Sequence, residues 1–372
     1  MSERRGAADP ALPLTSDECR ARFRRAAADA GLPARQRTIS ARGPEGQRLS
    51  VDWVRWGPPE PRHLLMVLSG VHGVEGFLGS AVQCDLIGRQ ERLPAAADVG
   101  VLIVHAVNPW GMAWSRRVNE SNVDLNRNWR RDDSEPPANP AYEELHPLAC
   151  PDTPGLPPVD ELAGRAAELL EHHGYPWLRD GLTGGQYTHP DGLHYGGART
   201  EESNRILESI LGGFGRVERA FVLDLHTGHG PTGGVTLLSD RSIGSDQDRT
   251  LRSLSEEWTV ESTADGRTGS TGRIANGIRD SFGAGSVSTS AEFGTVDDLE
   301  QLAATYQEHW VHRHGDLNDD DHAAVVRRYR ACFTPDDPTW AGACRRQGAR
   351  VLDRALDTVI GWGTTASGSA SG

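Results

Sequence analysis

A histidine and a glutamate, His72 and Glu75, stand three residues apart in the segment LMVLSGVHGVEG, directly after an apolar run of strand length. An imidazole nitrogen and a carboxylate oxygen are both common zinc ligands. If a helix begins here, the i, i+3 spacing puts the two side chains on one face of it. The pattern alone is also typical of a surface helix, so its interpretation as part of a metal site depends on the rest of the chain.

A second histidine, His226, ends the apolar run AFVLDLH and is followed by TGHG. Asp224 precedes it by two residues, and in a strand that spacing gives both side chains the same face. A lone histidine at a strand end is also compatible with a structural role. His229 is a competing ligand candidate, although its flanking glycines predict a less well fixed side chain. His226 is therefore the third candidate ligand.

Between these two segments lies a cluster of cationic and amide side chains, in the stretch SRRVNESNVDLNRNW. Guanidinium groups bind carboxylates through two parallel hydrogen bonds, so the cluster could hold a substrate carboxylate. Asp124 is a candidate acceptor for the ring N–H of a ligand histidine, which would fix the tautomer of that ring. The alternative is a solvated loop of ion pairs. The candidate substrate residues here are Arg116, Arg117, Asn126 and Arg127.

Glu292 lies in the short strand-like segment SVSTSAEFGT, between small and apolar residues. A carboxylate in such surroundings can have a raised pKa and act as a general base, although a surface or ion-paired glutamate is the alternative. Three protein ligands would leave one position open on a tetrahedral zinc, which would lower the pKa of a bound water to about 7. Glu292 would then take the proton of that water, and an arginine would help to stabilise the oxyanion.

Apolar strands alternate with helical segments along the chain, which predicts an α/β fold. The runs HLLMVLSG, VGVLIVHAVNP and RAFVLDLHTG are typical of inner strands that are covered on both faces. In open α/β sheets, ligands bind at the carboxyl ends of the strands, which is where the candidate residues stand. We predict a single α/β domain with a mixed, mostly parallel sheet flanked by helices.

The predicted domain spans residues 15–362. We expect a disordered N-terminus at 1–14 and a flexible tail at 363–372, because both are polar and rich in small residues. The proline-rich stretch 132–158 is predicted to be a surface insertion, since strands continue on both sides; the alternative is a boundary between two domains. The segment GGQYTHPDGLHYGG is typical of an ordered loop that approaches a ligand.

Composition argues against several other classes of protein. The 372 residues carry a formal net charge of −13 without a compensating basic block, which disfavours nucleic acid and anionic membranes as partners. The five cysteines form no C-x-x-C pair, so neither a disulfide framework nor a thiolate zinc site is predicted. The N-terminus lacks a signal-peptide pattern, and no apolar run approaches the roughly 18 residues of a membrane span. We expect a cytoplasmic protein.

Together these motifs resemble the zinc carboxypeptidase superfamily, the carboxypeptidase A-like hydrolases, which also includes succinylglutamate desuccinylase and aspartoacylase. The stretches RRVNESNVDLNRNW and GGQYTHPDGLHYGG look like a bacterial branch of it that is described mainly as a domain of unknown function. The resemblance covers about residues 60 to 300. Its matching segments are HGVE at 72–75, NPWG at 108–111, DLNRNW at 124–129, DLHTG at 224–228 and AEFGT at 291–295.

The resemblance implies one zinc ion per chain, held by His72, Glu75 and His226. It implies that Glu292 is the general base. Asp124 matches the residue that accepts a hydrogen bond from the first zinc histidine.

The resemblance also implies how a substrate is held. Asn126 and Arg127 match the pair that grips the terminal carboxylate, and the arginine that polarises the scissile carbonyl matches either Arg116 or Arg117.

One departure concerns tyrosine. No tyrosine lies between His226 and Glu292, where the digestive enzymes carry a substrate-capping tyrosine. Tyr187, Tyr195 or Tyr306 could substitute for it from another loop.

The predicted activity is zinc-dependent hydrolysis of an amide bond next to a free carboxylate, in a small peptide or an N-acyl amino acid. The alternatives are an esterase or lactam-type zinc hydrolase of small-molecule metabolism, and a non-catalytic binding protein that keeps the fold.

Overall fold

The apolar runs that precede the candidate ligands are inner strands of one eight-stranded sheet. The computed structural model describes residues 12–94, 98–130, 135–265 and 271–367. Its strands are β1 (Arg35–Arg42), β2 (Arg48–Trp56), β3 (His63–Ser69), β4 (Val99–His105), β5 (Arg219–Gly228), β6 (Val235–Ser239), β7 (Thr259–Ser262) and β8 (Val287–Gly294).

The strands lie side by side in the order β1-β2-β4-β3-β5-β8-β6-β7. The central strands β4, β3, β5 and β8 are parallel to one another, and β6 is parallel to β7. The pairs β1–β2, β2–β4 and β6–β8 are antiparallel. The predicted fold class, a mixed and mostly parallel α/β sheet, is confirmed.

Helices cover both faces of this sheet. Within the described residues, none of them is both long and apolar enough to cross a membrane. Short 3-10 turns lie at Gly73–Glu75, Gln90–Arg92 and Leu125–Arg127. The α-helices are α1 (Ser16–Asp29), α2 (Gly76–Ile87), α3 (Pro109–Ala113), α4 (Pro140–Ala149), α5 (Val159–His173), α6 (Tyr175–Thr183), α7 (Glu202–Leu211), α8 (Asp246–Leu254), α9 (Ile274–Arg279), α10 (Asp298–His314), α11 (Asp320–Phe333) and α12 (Pro338–Ser367).

Each face of the sheet has its own apolar core, and the central strand β5 contributes alternately to both. Phe221, Leu223 and Leu225 face the core that is shared with α1, α2, α8 and α12. Ala220 and Val222 face the core that is shared with α7 and α9. This period of two is what a strand that is buried on both sides requires.

The candidate residues meet at one edge of the sheet because β3, β5 and β8 run in the same direction. His72 follows the end of β3, while His226 and Glu292 lie near the ends of β5 and β8. His226 and Glu292 are direct neighbours in the register of the two strands.

A close backbone contact fixes the loop that follows β3. A Cβ atom on Gly73 would lie 2.0 Å from the carbonyl carbon of Gly111 in α3, so only glycine permits this approach. The N–H groups of Gly73 and Val74 donate to the carbonyls of Arg117 and Arg116, at 3.3 and 2.9 Å. The loop that carries two candidate ligands is thereby tied to the arginine pair.

Part of the predicted surface insertion packs inward. Residues 132–134 lie outside the described residues, but α4, within 132–158, buries Tyr142 and Leu145 completely. These two side chains are three residues apart and so share one helix face. Tyr142 belongs to a small apolar cluster that also includes Ala149, Cys150 and Leu193.

The C-terminal end of the described chain is helical where a flexible tail was predicted. Residues 1–11 and 368–372 lie outside the described residues. The tail predicted to be flexible from residue 363 is, over 363–367, the last part of α12. A helix that is already formed gains one backbone hydrogen bond for each residue added, so small residues can extend it.

Candidate metal centre

The side chains of His72, Glu75 and His226 converge at the carboxyl edge of the sheet. One ligand atom from each lies within 4.8 Å of the other two. His72 Nδ1 is 2.8 Å from Glu75 Oε1, and His226 Nδ1 is 2.8 Å from Glu75 Oε2. All three residues are buried. A tetrahedral zinc with bonds of about 2.0–2.1 Å separates its ligand atoms by about 3.3 Å, so these donors and this spacing fit zinc.

Each of the two histidines is held from its far side by a buried aspartate. His72 Nε2 lies 3.2 Å from Asp124 Oδ1, and His226 Nε2 lies 2.7 Å from Asp224 Oδ2. An ionised carboxylate only accepts hydrogen bonds, so each Nε2 donates its proton to its aspartate. Each Nδ1 faces a carboxylate oxygen of Glu75, and a bound metal ion would take the place of the proton on that nitrogen. Carboxylates that orient metal-binding imidazoles act in this way.

The charges of the site favour a bound cation. Glu75, Asp124 and Asp224 are buried carboxylates, and the guanidinium of Arg117 contacts the first two. Three negative charges and one positive charge leave two negative charges, which a divalent cation would neutralise. The same carboxylates affect the protonation of His226. Burial lowers the pKa of His226, but Asp224 and Glu75 outweigh this effect and raise that pKa well above its ordinary value.

Glu292 stands beside this cluster on β8, next to His226 on β5. Its side chain is partly buried. Burial raises the pKa of Glu292, and the neighbouring His226 opposes that shift. A carboxylate with a raised pKa beside a candidate metal centre is suited to accept and return a proton.

The two adjacent arginines have different partners. Arg117 Nε donates to Asp124 Oδ2 at 3.1 Å, and its Nη1 lies 3.4 Å from Glu75 Oε1. Arg116 Nε donates instead to Glu308 Oε1 on α10, at 2.9 Å. Of the two candidates, Arg117 therefore lies at the metal-ligand cluster, and Arg116 fastens the loop to α10.

Asn126 and Arg127 form a buried pair that is partly engaged by the main chain. Asn126 Oδ1 accepts from the N–H of Ile274 at 3.0 Å. Arg127 Nη1 and Nη2 donate to the carbonyls of Asn126 and Thr183, at 2.9 and 2.7 Å. These bonds use two of the five guanidinium N–H donors and leave three, including a buried Nε–H without a partner among the described residues. Gly185, with φ +91°, lets its loop close over the Arg127 side chain.

Two of the three tyrosines predicted to contact substrate lie close to the loop that carries Asp124 and Arg127, and none of the three bonds to the ligand cluster. The Tyr187 hydroxyl donates to the main-chain carbonyl of Arg127 at 2.6 Å. Tyr195 accepts, through its own carbonyl, a hydrogen bond from the N–H of Asp124 at 2.7 Å. Tyr306 lines an apolar cavity together with leucines of α4 to α6. Tyr187 and Tyr195 thus contact the loop at Asp124 and Arg127, whereas Tyr306 lies elsewhere.

Two further histidines complete the surroundings. His229, the competing ligand candidate, pairs through Nε2 with Glu261 on β7 at 3.0 Å and does not belong to the ligand cluster. His194, which the sequence analysis did not single out, has Nδ1 3.5 Å from Asp124 Oδ2 and a φ of +53°. Burial lowers the pKa of His194 to about 4. Its signal in the sequence was its place in the glycine-rich loop that was predicted to approach a ligand.

Fold and site together define the class: an α/β protein with a candidate His/Glu/His metal centre at the carboxyl edge of a mixed sheet. The chain belongs to the family described as "Protein of unknown function (DUF2817)", whose model matches residues 15–347. This agrees with the predicted resemblance to a branch described as a domain of unknown function. No curated protein matches the chain.

Solved structures of similar fold include several hydrolases. Carboxypeptidase A from Helicoverpa armigera is 12% identical, with 86% of this chain and 74% of that one covered and a TM-score of 0.48. A metallo-carboxypeptidase from Burkholderia cenocepacia is 14% identical, with coverage of 89% and 70% and a TM-score of 0.42. A structure described as a succinylglutamate desuccinylase/aspartoacylase family protein from Shewanella amazonensis is 17% identical, with coverage of 76% and 73% and a TM-score of 0.38.

Proposed function

We propose that this chain is a zinc-dependent hydrolase that cleaves an amide bond next to a free carboxylate, as a metallocarboxypeptidase or as a deacylase of N-acyl amino acids. The observation that carries the proposal is the ligand cluster itself. Three buried side chains converge, and an aspartate backs each imidazole. Three protein ligands leave a fourth position for water or substrate, as catalytic zinc sites do.

The chemistry divides between the metal and Glu292. When bound, zinc would supply a water with a pKa of about 7 and polarise the substrate carbonyl. Glu292 would accept a proton from the attacking water and return it to the leaving nitrogen. The raised pKa of Glu292 suits both transfers, because a base works best when its pKa approaches the working pH.

Arg117 is the proposed donor to the carbonyl oxygen. Its side chain is 21% exposed, in contrast to the ligands, so part of the guanidinium can reach a substrate. Asp124 and Glu75 hold the guanidinium in place. A fixed donor at the oxygen where negative charge develops stabilises the transition state more than the ground state.

The free carboxylate of the substrate is assigned to Asn126 and Arg127. Support comes from the three guanidinium donors that the main chain leaves unused and from the burial of Arg127, which strengthens a charge-assisted hydrogen bond. The proposed partners are therefore small peptides or N-acyl amino acids. The acidic net charge of −13 disfavours nucleic acid.

The first test is metal analysis combined with a substrate screen. We expect one zinc per purified chain and hydrolysis of C-terminal peptides or N-acyl amino acids, lost on chelation and restored by zinc. A chain without stoichiometric zinc, whose activity resists chelation, contradicts the proposal. A chain that hydrolyses only simple esters in the same screen assigns it to the alternative esterase class.

The second test is Glu292→Gln. We expect turnover to fall by about 10²–10⁴-fold, the usual contribution of general acid–base catalysis, with zinc still bound. Glu257→Gln, at an exposed glutamate paired with Arg350, is the matched control and should keep full activity. Loss of zinc from the Glu292 variant would mean that this residue is a ligand and that the assigned roles are wrong.

A further inference from the structure

The last turn of α11 is hydrogen-bonded to both segments that carry metal ligands. Thr227, which follows His226, donates from Oγ1 to the carbonyl of Phe333 at 2.6 Å. Thr334, just after the helix, donates from Oγ1 to the carbonyl of Val74 at 3.0 Å. Val74 lies between the ligands of the first segment. The end of α11 is therefore held in a fixed position against the candidate metal centre.

Tyr329 lies one helical turn before Phe333, so both point to the same side of α11. Their ring centroids are 5.1 Å apart. Tyr329 is only 1% exposed and belongs to the same apolar cluster as Val74 of the ligand loop. Packing on both sides leaves the ring little freedom to turn away from the centre.

The hydroxyl of Tyr329 has no hydrogen-bond partner within the described part of the chain. Burial raises the pKa of Tyr329, and the charged groups that act on it are those of Glu308, Arg117, Glu75 and Arg116. The hydroxyl therefore remains protonated and lies in the electrostatic range of a ligand and of the proposed carbonyl donor. The hydroxyl oxygen is not among the fully buried atoms that lack a partner, so a small part of it is accessible, and a bound molecule could accept its hydrogen bond.

Four of the other five tyrosines do not offer a comparable group, and the fifth, Tyr195, contacts the loop at Asp124 through its main-chain carbonyl. Tyr187 already donates to the carbonyl of Arg127, and Tyr306 lines an apolar cavity. Tyr142 contacts Cys150, and Tyr175 is 55% exposed on α6.

We propose that Tyr329 donates a hydrogen bond from its phenolic hydroxyl to an oxygen of the substrate bound at the metal centre. This deepens the proposed function and rests on it. The ring also becomes a wall of the pocket and limits the size of the group beside the scissile bond.

The test is Tyr329→Phe, with Tyr306→Phe on the neighbouring α10 as the matched control. Both changes remove one hydroxyl and keep the ring. Two quantities are measured on the zinc-loaded protein: calorimetric affinity for acetohydroxamic acid, a small zinc-binding carbonyl compound, and kcat and KM for the best substrate of the screen. Zinc content and melting temperature are measured alongside.

For Tyr329→Phe we expect roughly a tenfold to hundredfold loss in kcat/KM, mostly in kcat, because a donor to developing charge acts mainly in the transition state. Hydroxamate affinity should fall about tenfold, the effect of one lost hydrogen bond, while zinc content stays unchanged. Unchanged affinity together with unchanged kcat/KM overturns the proposal. So does loss of zinc from the variant, which would show a structural role. Absence of zinc from the unaltered chain instead contradicts the proposed function and is seen before any variant is compared.

Discussion

The two faces of β5 belong to one strand but carry different kinds of side chain. On one face, Phe221, Leu223 and Leu225 are apolar from end to end and pack against helices. On the other face, the apolar residues stop at Val222, and the next position that shares its side is Asp224. His226 follows it, two residues further along. Both faces are buried, so burial alone does not distinguish the core from the site.

The difference lies in what each side chain needs from its neighbours. An apolar side chain needs contact of the right volume, and many neighbours can provide it. A buried charge needs a particular partner at hydrogen-bond distance, and removal of that partner leaves an uncompensated charge. The apolar face should therefore determine stability, and the polar face should determine metal affinity. Each of the following changes tests one side of this division.

The largest effect is expected for Glu75→Gln on the polar side. The substitution removes a ligand charge that both histidines face, at 2.8 Å from each Nδ1. Zinc affinity should fall by more than about a hundredfold, a larger loss than is expected when a residue that only orients a metal ligand is removed. The readout is the rise in melting temperature on adding zinc, because a ligand that binds only the folded state stabilises it.

In that experiment the unaltered chain should melt higher with zinc, and the Glu75 variant should not respond. The control is Glu91→Gln, at a residue that lies outside the ligand cluster in the 3-10 turn Gln90–Arg92. A full zinc response in the Glu75 variant would remove Glu75 from the ligand set.

The next effect belongs to the apolar side. Leu223→Ala truncates a completely buried side chain next to Asp224 in sequence but on the opposite face. It should lower the free energy of unfolding by about 2–5 kcal/mol, measured by denaturant titration. Zinc affinity of the folded variant should remain within about twofold of that of the unaltered chain, since substitutions at sites that share no partners act independently. A large loss of zinc affinity would show that the two faces are coupled through the strand.

A different division, between local patterns and partners distant in sequence, explains how much of the molecule the sequence could predict. The strands, the edge of the sheet and the convergence of His72, Glu75 and His226 were predictable, because apolar runs of strand length are local patterns and these candidate ligands follow or end such runs. Asp224 followed from strand periodicity alone. These features depend on neighbours in sequence.

Features that depend on partners distant in sequence were not predictable. The different positions of Arg116 and Arg117 depend on Glu308, nearly two hundred residues away in sequence, which pairs with Arg116. The approach of Tyr329 depends on hydrogen bonds that dock α11 onto the ligand segments. His194 needs a left-handed backbone in a long loop, which residue type alone does not predict.

The smallest expected effect is Asp224→Asn, which keeps the size of the side chain and removes only its charge. His226 Nε2 lies 2.7 Å from Asp224, so the carboxylate dictates which ring nitrogen carries the proton. An amide can either accept or donate there. When it donates, the proton moves to Nδ1, and the nitrogen that faces Glu75 can no longer bind metal.

Zinc affinity should therefore fall by about 10- to 100-fold while the fold persists, as competition with a chromogenic chelator would measure. Asp98→Asn, at a partly exposed residue near Arg62, should leave the affinity unchanged. Equal zinc affinity in both variants would mean that packing in the strand, and not Asp224, sets the orientation of the His226 ring. The polar face of β5 would then depend on packing, as the apolar face does.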